Sequence, residues 1–126
     1  MHMPTYDVTP PPRRLADWVQ LRSAFSTDAG DVTRFVVQLE YWLDGEWQPV
    51  VRYDHDREAA GGHDVTEEGL HIDVYRDGEK VRSEDVMPPI PAADGLNYAE
   101  EDLRTNAERY IKRFERWHDI KNRTDL

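Results

Sequence analysis

From Phe35 to Leu43 the chain alternates. Phe35, Val37, Leu39, Tyr41 and Leu43 share one parity, and Val36, Gln38, Glu40 and Trp42 share the other. A period of two marks a half-buried strand. Asp44-Gly45 follows as a turn. The return strand carries Trp47, Val51 and Tyr53 at one parity, with Gln48 and Arg52 at the other. A two-residue loop would pair Leu43 with Glu46 and turn the main apolar sets to opposite faces. A three-residue loop, Asp44-Gly45-Glu46, pairs Leu43 with Trp47, Leu39 with Val51 and Val37 with Tyr53 on one face, so it is the predicted connection. Pro49 cannot donate to a ladder, which predicts an edge or a bulge there.

A second alternating run, Leu70, Ile72 and Val74 against His71, Asp73 and Tyr75, leads into Asp77-Gly78. A two-residue turn is expected to pair Val74 with Val81 and Asp73 with Arg82, giving one apolar and one charge-paired face. Consecutive hairpins usually neighbour each other. The stretch Arg34–Arg82 therefore predicts an antiparallel sheet of about four strands.

The flanks predict helices. Leu15, Trp18, Val19, Arg22 and Phe25 recur near helical spacing behind Pro10-Pro11-Pro12, and Ser26–Asp31 reads as a break. Met87-Pro88-Pro89-Ile90-Pro91 reads as a stiff crossing segment. A long C-terminal helix is expected behind it. Asn97 and Glu100 have capping-box spacing, and Leu103, Ala107, Tyr110, Ile111, Phe114 and Trp117 form the apolar stripe. Glu100–Arg104 and Glu108–Lys112 are supportive pairs at four-residue spacing. The fold class read from these patterns is α+β: about four strands packed against an N-terminal and a long C-terminal helix. Residues 1–12 form an extended lead-in, and residues 121–126 form a fraying tail.

At 126 residues the chain is expected to be one domain. It holds no cysteine, which excludes a disulfide framework and thiolate metal sites. No apolar run approaches the ~20 residues of a membrane span, and no signal-peptide pattern is seen, so a cytoplasmic protein with no membrane partner is expected. The formal net charge is −10, which disfavours a face-wide grip on nucleic-acid phosphates. Only Lys80, Lys112 and Lys121 are lysines. An Asp-rich, Lys-poor surface suits a high-salt cytoplasm, where screening weakens repulsion between surface charges.

Candidate chemistry gathers between and beside the hairpins: Asp54, His55, Asp56, His63, Asp64, His71 and Asp73. Imidazole changes charge nearest neutral pH and binds metals when neutral. Three histidines with carboxylates could hold Zn²⁺ or Mn²⁺, or act as an acid–base pair, although the spacings match no standard zinc motif. No cofactor is specified. Arg52 beside Tyr53 could hold a phosphate, with a cross-strand ion pair as the plainer role. Arg109, Arg113 and Arg116 form a basic ridge, more often simply solvated than laid along RNA. Trp18 and Trp42 read as packing residues. A Gly-rich phosphate loop and a nucleophile elbow are both missing from the sequence.

The segment Arg52-Tyr53-Asp54, the histidines after it, and His71-Ile72-Asp73-Val74-Tyr75-Arg76-Asp77-Gly78 resemble a family of small prokaryotic, haloarchaeal-type domains. They are also similar to the TumE-like toxins of toxin–antitoxin systems, over roughly residues 34–82. The resemblance implies an α+β fold, a site at Arg52, Tyr53, Asp54, His63 and His71, and action on RNA. The chain departs from that pattern at Arg57-Glu58-Ala59-Ala60-Gly61-Gly62, where adjacent histidines would be expected. Two functions follow. The first is a non-catalytic protein-binding or regulatory module, paired with a small antitoxin-like protein or with a second copy as a homodimer. The alternative is a TumE-like toxin whose catalytic set on RNA is Arg52, Asp54, His63 and His71.

Overall fold

A computed structural model describes residues 5–59, 61–121 and 123–124. The strands are β1 (Arg13–Ala16), β2 (Val19–Asp28), β3 (Asp31–Leu43), β4 (Glu46–Asp56), β5 (Leu70–Arg76) and β6 (Glu79–Met87). The helices are α1 (Val65–Glu68), α2 (Ala92–Thr105) and α3 (Ala107–Trp117). The class is α+β. The six strands form one antiparallel sheet in the order β1-β2-β3-β4-β5-β6, two more strands than the sequence suggested.

The extra strands replace the expected N-terminal helix. Val19 to Asp28 pairs with β3 from Val19↔Tyr41 through Leu21↔Leu39 and Phe25↔Phe35 to Asp28↔Asp31. The spacing of Leu15, Trp18, Val19, Arg22 and Phe25 fits a helix, but Val19, Leu21, Ser23 and Phe25 also fit a strand, and short apolar runs cannot separate the two. The long β3 decides it. Its second edge would otherwise stand open, and Ala29-Gly30, at φ 51° and 86°, turns β2 straight onto it.

The first central hairpin reaches its register by another route than a three-residue loop. Asp44 and Gly45, at φ 54° and 80°, make a two-residue turn, and Leu43 pairs with Glu46. The ladder then slips by one residue: Glu40 pairs with Pro49 while Leu39 pairs with Val51, leaving Val50 unpaired. This bulge sits beside the proline that cannot donate. It restores Leu39↔Val51 and Val37↔Tyr53 on the buried face. The second hairpin has its two-residue turn at Asp77-Gly78, but Val81 bulges out, so Val74 pairs with Arg82 and Asp73 with Ser83 rather than with Val81 and Arg82.

Phe35, Val37, Leu39, Tyr41, Val51, Tyr53, Ile72 and Val74 form the sheet side of the core. Leu96, Ala99, Leu103, Ala107, Tyr110, Ile111 and Phe114 form the helix side. The single C-terminal helix is in fact two, broken at Asn106, and α2 begins after Pro91 rather than at Asn97, which lies inside it. The ion pairs also differ: Arg104 pairs with Glu101, and Lys112 lies 3.8 Å from Glu115. Two buried carboxylates join helices to sheet. Asp102 accepts from Tyr53 and Tyr110, and Glu115 accepts from Tyr41 at 2.8 Å. Beyond Ile120, Arg123 lies over the rings of Trp18 and Tyr41, and the backbone N–H of Thr124 donates to Glu115. Met1–Pro4 of the lead-in, and Asn122, Asp125 and Leu126 of the tail, lie outside the described residues.

Among the described residues, the other face of the sheet carries no helix. Its centre is a polar network. Glu40 accepts from Gln20 and Gln38 at 2.6 Å and from Arg22 at 3.3 Å, and Arg52 donates to Gln38 at 2.7 Å.

Two glycines separate strain from crowding. Gly69, at φ 85° and ψ 179°, would place a Cβ 2.4 Å from the Met87 carbonyl oxygen, whereas a Cβ on Gly45 would meet nothing within 4 Å. Gly69→Ala is expected to cost more than about 3 kcal/mol in urea unfolding, and Gly45→Ala about 1 kcal/mol. Equal losses would contradict the tight approach of β5 to the chain leaving β6.

Candidate functional site

The β4–β5 ladder holds only Val51↔Val74 and Arg52↔Asp73. Beyond Arg52 the strands part, and His63, in the connecting segment 57–69, spans the gap, bonded to Asp56 at one end and to Gly69 at the other. A cleft of about 430 Å³ opens there, its lining including Tyr6, Asp54, His71, Asp73, Lys80 and Ser83.

Much of the predicted cluster is spent on holding this segment. Asp56 Oδ1 accepts from the N–H groups of Glu58 and Ala59, starting the turn. Asp64 caps α1: its Oδ1 accepts from the Thr66 N–H at 2.9 Å and the Thr66 hydroxyl at 2.6 Å. The hydroxyl bond above all holds its carboxyl below the usual range. His63 clamps the two strands. Its carbonyl accepts from the Asp56 N–H at 2.7 Å, and its Nε2–H donates to the Gly69 carbonyl at 2.8 Å. That bond fixes the proton on Nε2, and Nδ1 lies 3.3 Å from Glu68.

His55 is 1% exposed and packs against Phe35. Its Nδ1 accepts from the Val65 N–H at 3.1 Å, so the ring is neutral with its proton on Nε2. Burial pushes its pKa down, against the pull of Asp64.

Two histidines do meet. The rings of His63 and His71 stand 4.2 Å apart, and His71 Nε2 lies 3.1 Å from Asp85 on β6. Asp73 accepts from the Ser83 hydroxyl at 2.5 Å and lies 4.0 Å from Lys80. Asp54 has neither a hydrogen-bond nor an ion-pair partner among the described residues. Burial, and then the Asp73 charge, raise its pKa. The cleft therefore offers one free acceptor carboxyl beside an imidazole, a hydroxyl and an ammonium group.

Among the described residues Arg52 makes no hydrogen bond or ion pair with this set, although its charge acts on Asp54 against the rise. Its Nε is bonded to Gln38 and its guanidinium lies 4.8 Å from the centre of the Tyr75 ring. Tyr53 points the other way, into the core, as strand alternation demands between Arg52 and Asp54. The Arg109/Arg113/Arg116 ridge is not continuous: Arg113 lies 3.8 Å from Glu84 of β6 and over Trp117, while Arg109 donates to the Tyr110 hydroxyl. Trp42 packs edge-on against Trp47. Among the described residues, no group of three or more His, Asp or Glu side chains is placed to hold a metal ion.

Sequence reasoning missed Tyr6, Lys80 and Ser83. Ser83 was within reach, because it lies opposite Asp73 once the Val81 bulge is allowed. No pattern in the lead-in singles out Tyr6.

The two shifted groups have opposite pH signatures. The neutral His55 contributes stability that is full above the ordinary histidine value of about 6.5 and is lost as pH falls below it. His55→Asn should flatten that loss in thermal melts between about pH 7 and 5. Asp54 binds its proton more tightly folded than unfolded, so its cost in stability builds as pH rises from the ordinary carboxyl value through the raised one. Asp54→Asn should therefore melt higher than the parent at neutral pH, with the gain vanishing in acid. A loss at neutral pH would contradict an unpartnered Asp54.

Neither the search of curated proteins nor that of solved structures finds a significant match. The family comparison does match, over residues 3–120, nearly the whole chain. On that match the chain belongs to the family described as Domain of unknown function (DUF7718).

Proposed function

We propose that the protein is a non-catalytic binding module that seats a basic side chain of a small protein partner in the Asp54 cleft. The observation that carries this reading is the division of labour in the cleft. His55, His63, Asp56 and Asp64 are committed to the loop, and Arg52 to the sheet network, whereas the Asp54 carboxyl stands free beside Asp73. General acid–base cleavage of RNA needs a base, an acid and a cation at the phosphate. Two of the four residues expected for that work, Arg52 and His63, are engaged elsewhere, which weighs against the TumE-like alternative. A surplus of carboxylates at the cleft suits a guanidinium or ammonium group.

The reading also places the protein in the cytoplasm of a salt-adapted cell. No helix among the described residues is long and apolar enough to cross a membrane, and the net charge of −10 with three lysines fits a salt-screened surface.

A hexa-arginine peptide at low salt is the probe. Amide shifts in an NMR titration are expected to centre on Asp54, His71, Asp73 and Ser83, and Asp54→Asn should weaken binding roughly tenfold, about 1.4 kcal/mol. Shifts spread evenly over the acidic surface would contradict the cleft. Expression of the parent chain in bacteria should leave growth and total RNA the same as expression of an Asp54→Asn/His71→Ala variant. Growth arrest and RNA loss confined to the parent would favour the RNA-cleaving alternative.

A further inference from the structure

The sheet ends at β6, and among the described residues no strand pairs with its outer edge. Such an edge presents a row of free N–H and C=O groups. Unlike β1, with four residues, β6 has nine. Val81, at its start, is 51% exposed, the most exposed of the large apolar side chains among the described residues. We propose that β6 pairs with β6 of a second copy of this chain, antiparallel, about a two-fold axis through Ser83.

The charge pattern selects both the occupant and the register. Two copies that keep the same sheet face upward must pair residues of like parity. Centred on Ser83, Arg82 of one copy faces Glu84 of the other, and the pair repeats across the axis. Shifting the centre by one residue either way sets Arg82 against Arg82, or Glu84 against Glu84. Like charges directly opposite are destabilising and unlike ones favourable, so one register is left. The bulges at Val81 and Val86 bracket Arg82–Asp85 as the regular stretch. Bulges and charges often guard an edge against pairing. Here the charges are self-complementary instead of being of one sign. Within one chain Arg82 Nε and Glu84 lie 2.9 Å apart, on the α3 side of the sheet, where Arg113 also approaches Glu84. The dimer exchanges partners among charges that are already neighbours.

The pairing bears on the cleft. Lys80 and Ser83 line it and belong to β6, so the axis would place two clefts side by side on one continuous helix-free face. The dimer does not rest on the binding reading given above, and either can fail alone.

Sedimentation of the full chain across a concentration series is the test, at low and at about 1 M salt. A monomer–dimer equilibrium is expected, weakened by salt. Arg82→Glu and Glu84→Arg should each weaken it at least roughly tenfold, and the double variant Arg82→Glu/Glu84→Arg should restore it. The chain has no cysteine, so Ser83→Cys gives a second readout: diamide should link it into a covalent dimer much faster than Thr105→Cys on α2. A chain monomeric throughout, with the two cysteine variants linking equally slowly, would overturn the proposal. So would a dimer that ignores Arg82→Glu, or one that the double variant fails to restore.

Discussion

The carboxylate of Asp102 lies between α2 and the sheet and takes three hydrogen bonds: from the Tyr53 hydroxyl at 2.8 Å, from the Tyr110 hydroxyl at 2.7 Å and from the Asn106 side chain at 2.8 Å. A buried charge with no partner is costly, whereas one with several well-aligned donors can be held without that penalty. The hydroxyls are well suited to donate. Burial and the carboxylate push the Tyr53 pKa far up and that of Tyr110 to about 12, so both stay protonated. Glu115 is a second buried carboxylate, its Oε2 taking the Tyr41 hydroxyl and the Thr124 N–H while its Oε1 has only Lys112 at 3.8 Å. Apolar packing alone is tolerant of sliding. Two polar pins, one per helix, define where α2 and α3 stop.

The same pins orient the cleft. With Tyr53 held inward, its neighbours Arg52 and Asp54 must stand on the opposite face of β4. From there Arg52 joins the Glu40 network and Asp54 faces the cleft. The parting of β4 from β5 makes room, and the returning segment is fixed at both ends by His63 and under α1 by His55. The cleft is thus a gap in a ladder, propped by imidazoles, and its free carboxyl is a consequence of which residues the props use up.

How much of this was legible depends on how local each cause is. The two central hairpins and the amphipathic C-terminal segment were readable because periods of two and 3.6 are written into neighbouring residues. Val19–Asp28 was not, since its spacing fits both periods and only the open edge of β3 resolves it. The turn at Asp44-Gly45 was misjudged for a related reason. The register Leu39↔Val51 was correct, but the extra residue sits at Val50 beside Pro49, and pattern alone cannot say where along a strand a bulge falls. In the cluster, the sequence set His71 beside Asp73 with a loop able to fold His63 back towards them, and the rings of His63 and His71 stand 4.2 Å apart. The use of His55 as a buried acceptor was not, because its partner is a backbone N–H on a four-residue helix that no pattern announced. Asp102 and Glu115 carried a signal that went unread: each sits directly beside a stripe residue, Leu103 and Phe114, on the buried side.

A double-mutant cycle on Tyr53→Phe and Asp102→Asn, read by urea unfolding, addresses the pin itself. Residues joined by a charge-assisted hydrogen bond should show a coupling of about 1–2 kcal/mol. Losses that simply add, to within about 0.4 kcal/mol, would mean that the hydroxyl and the carboxylate do not hold the helices to the sheet, and the account of how Asp54 comes to face the cleft would fall with them.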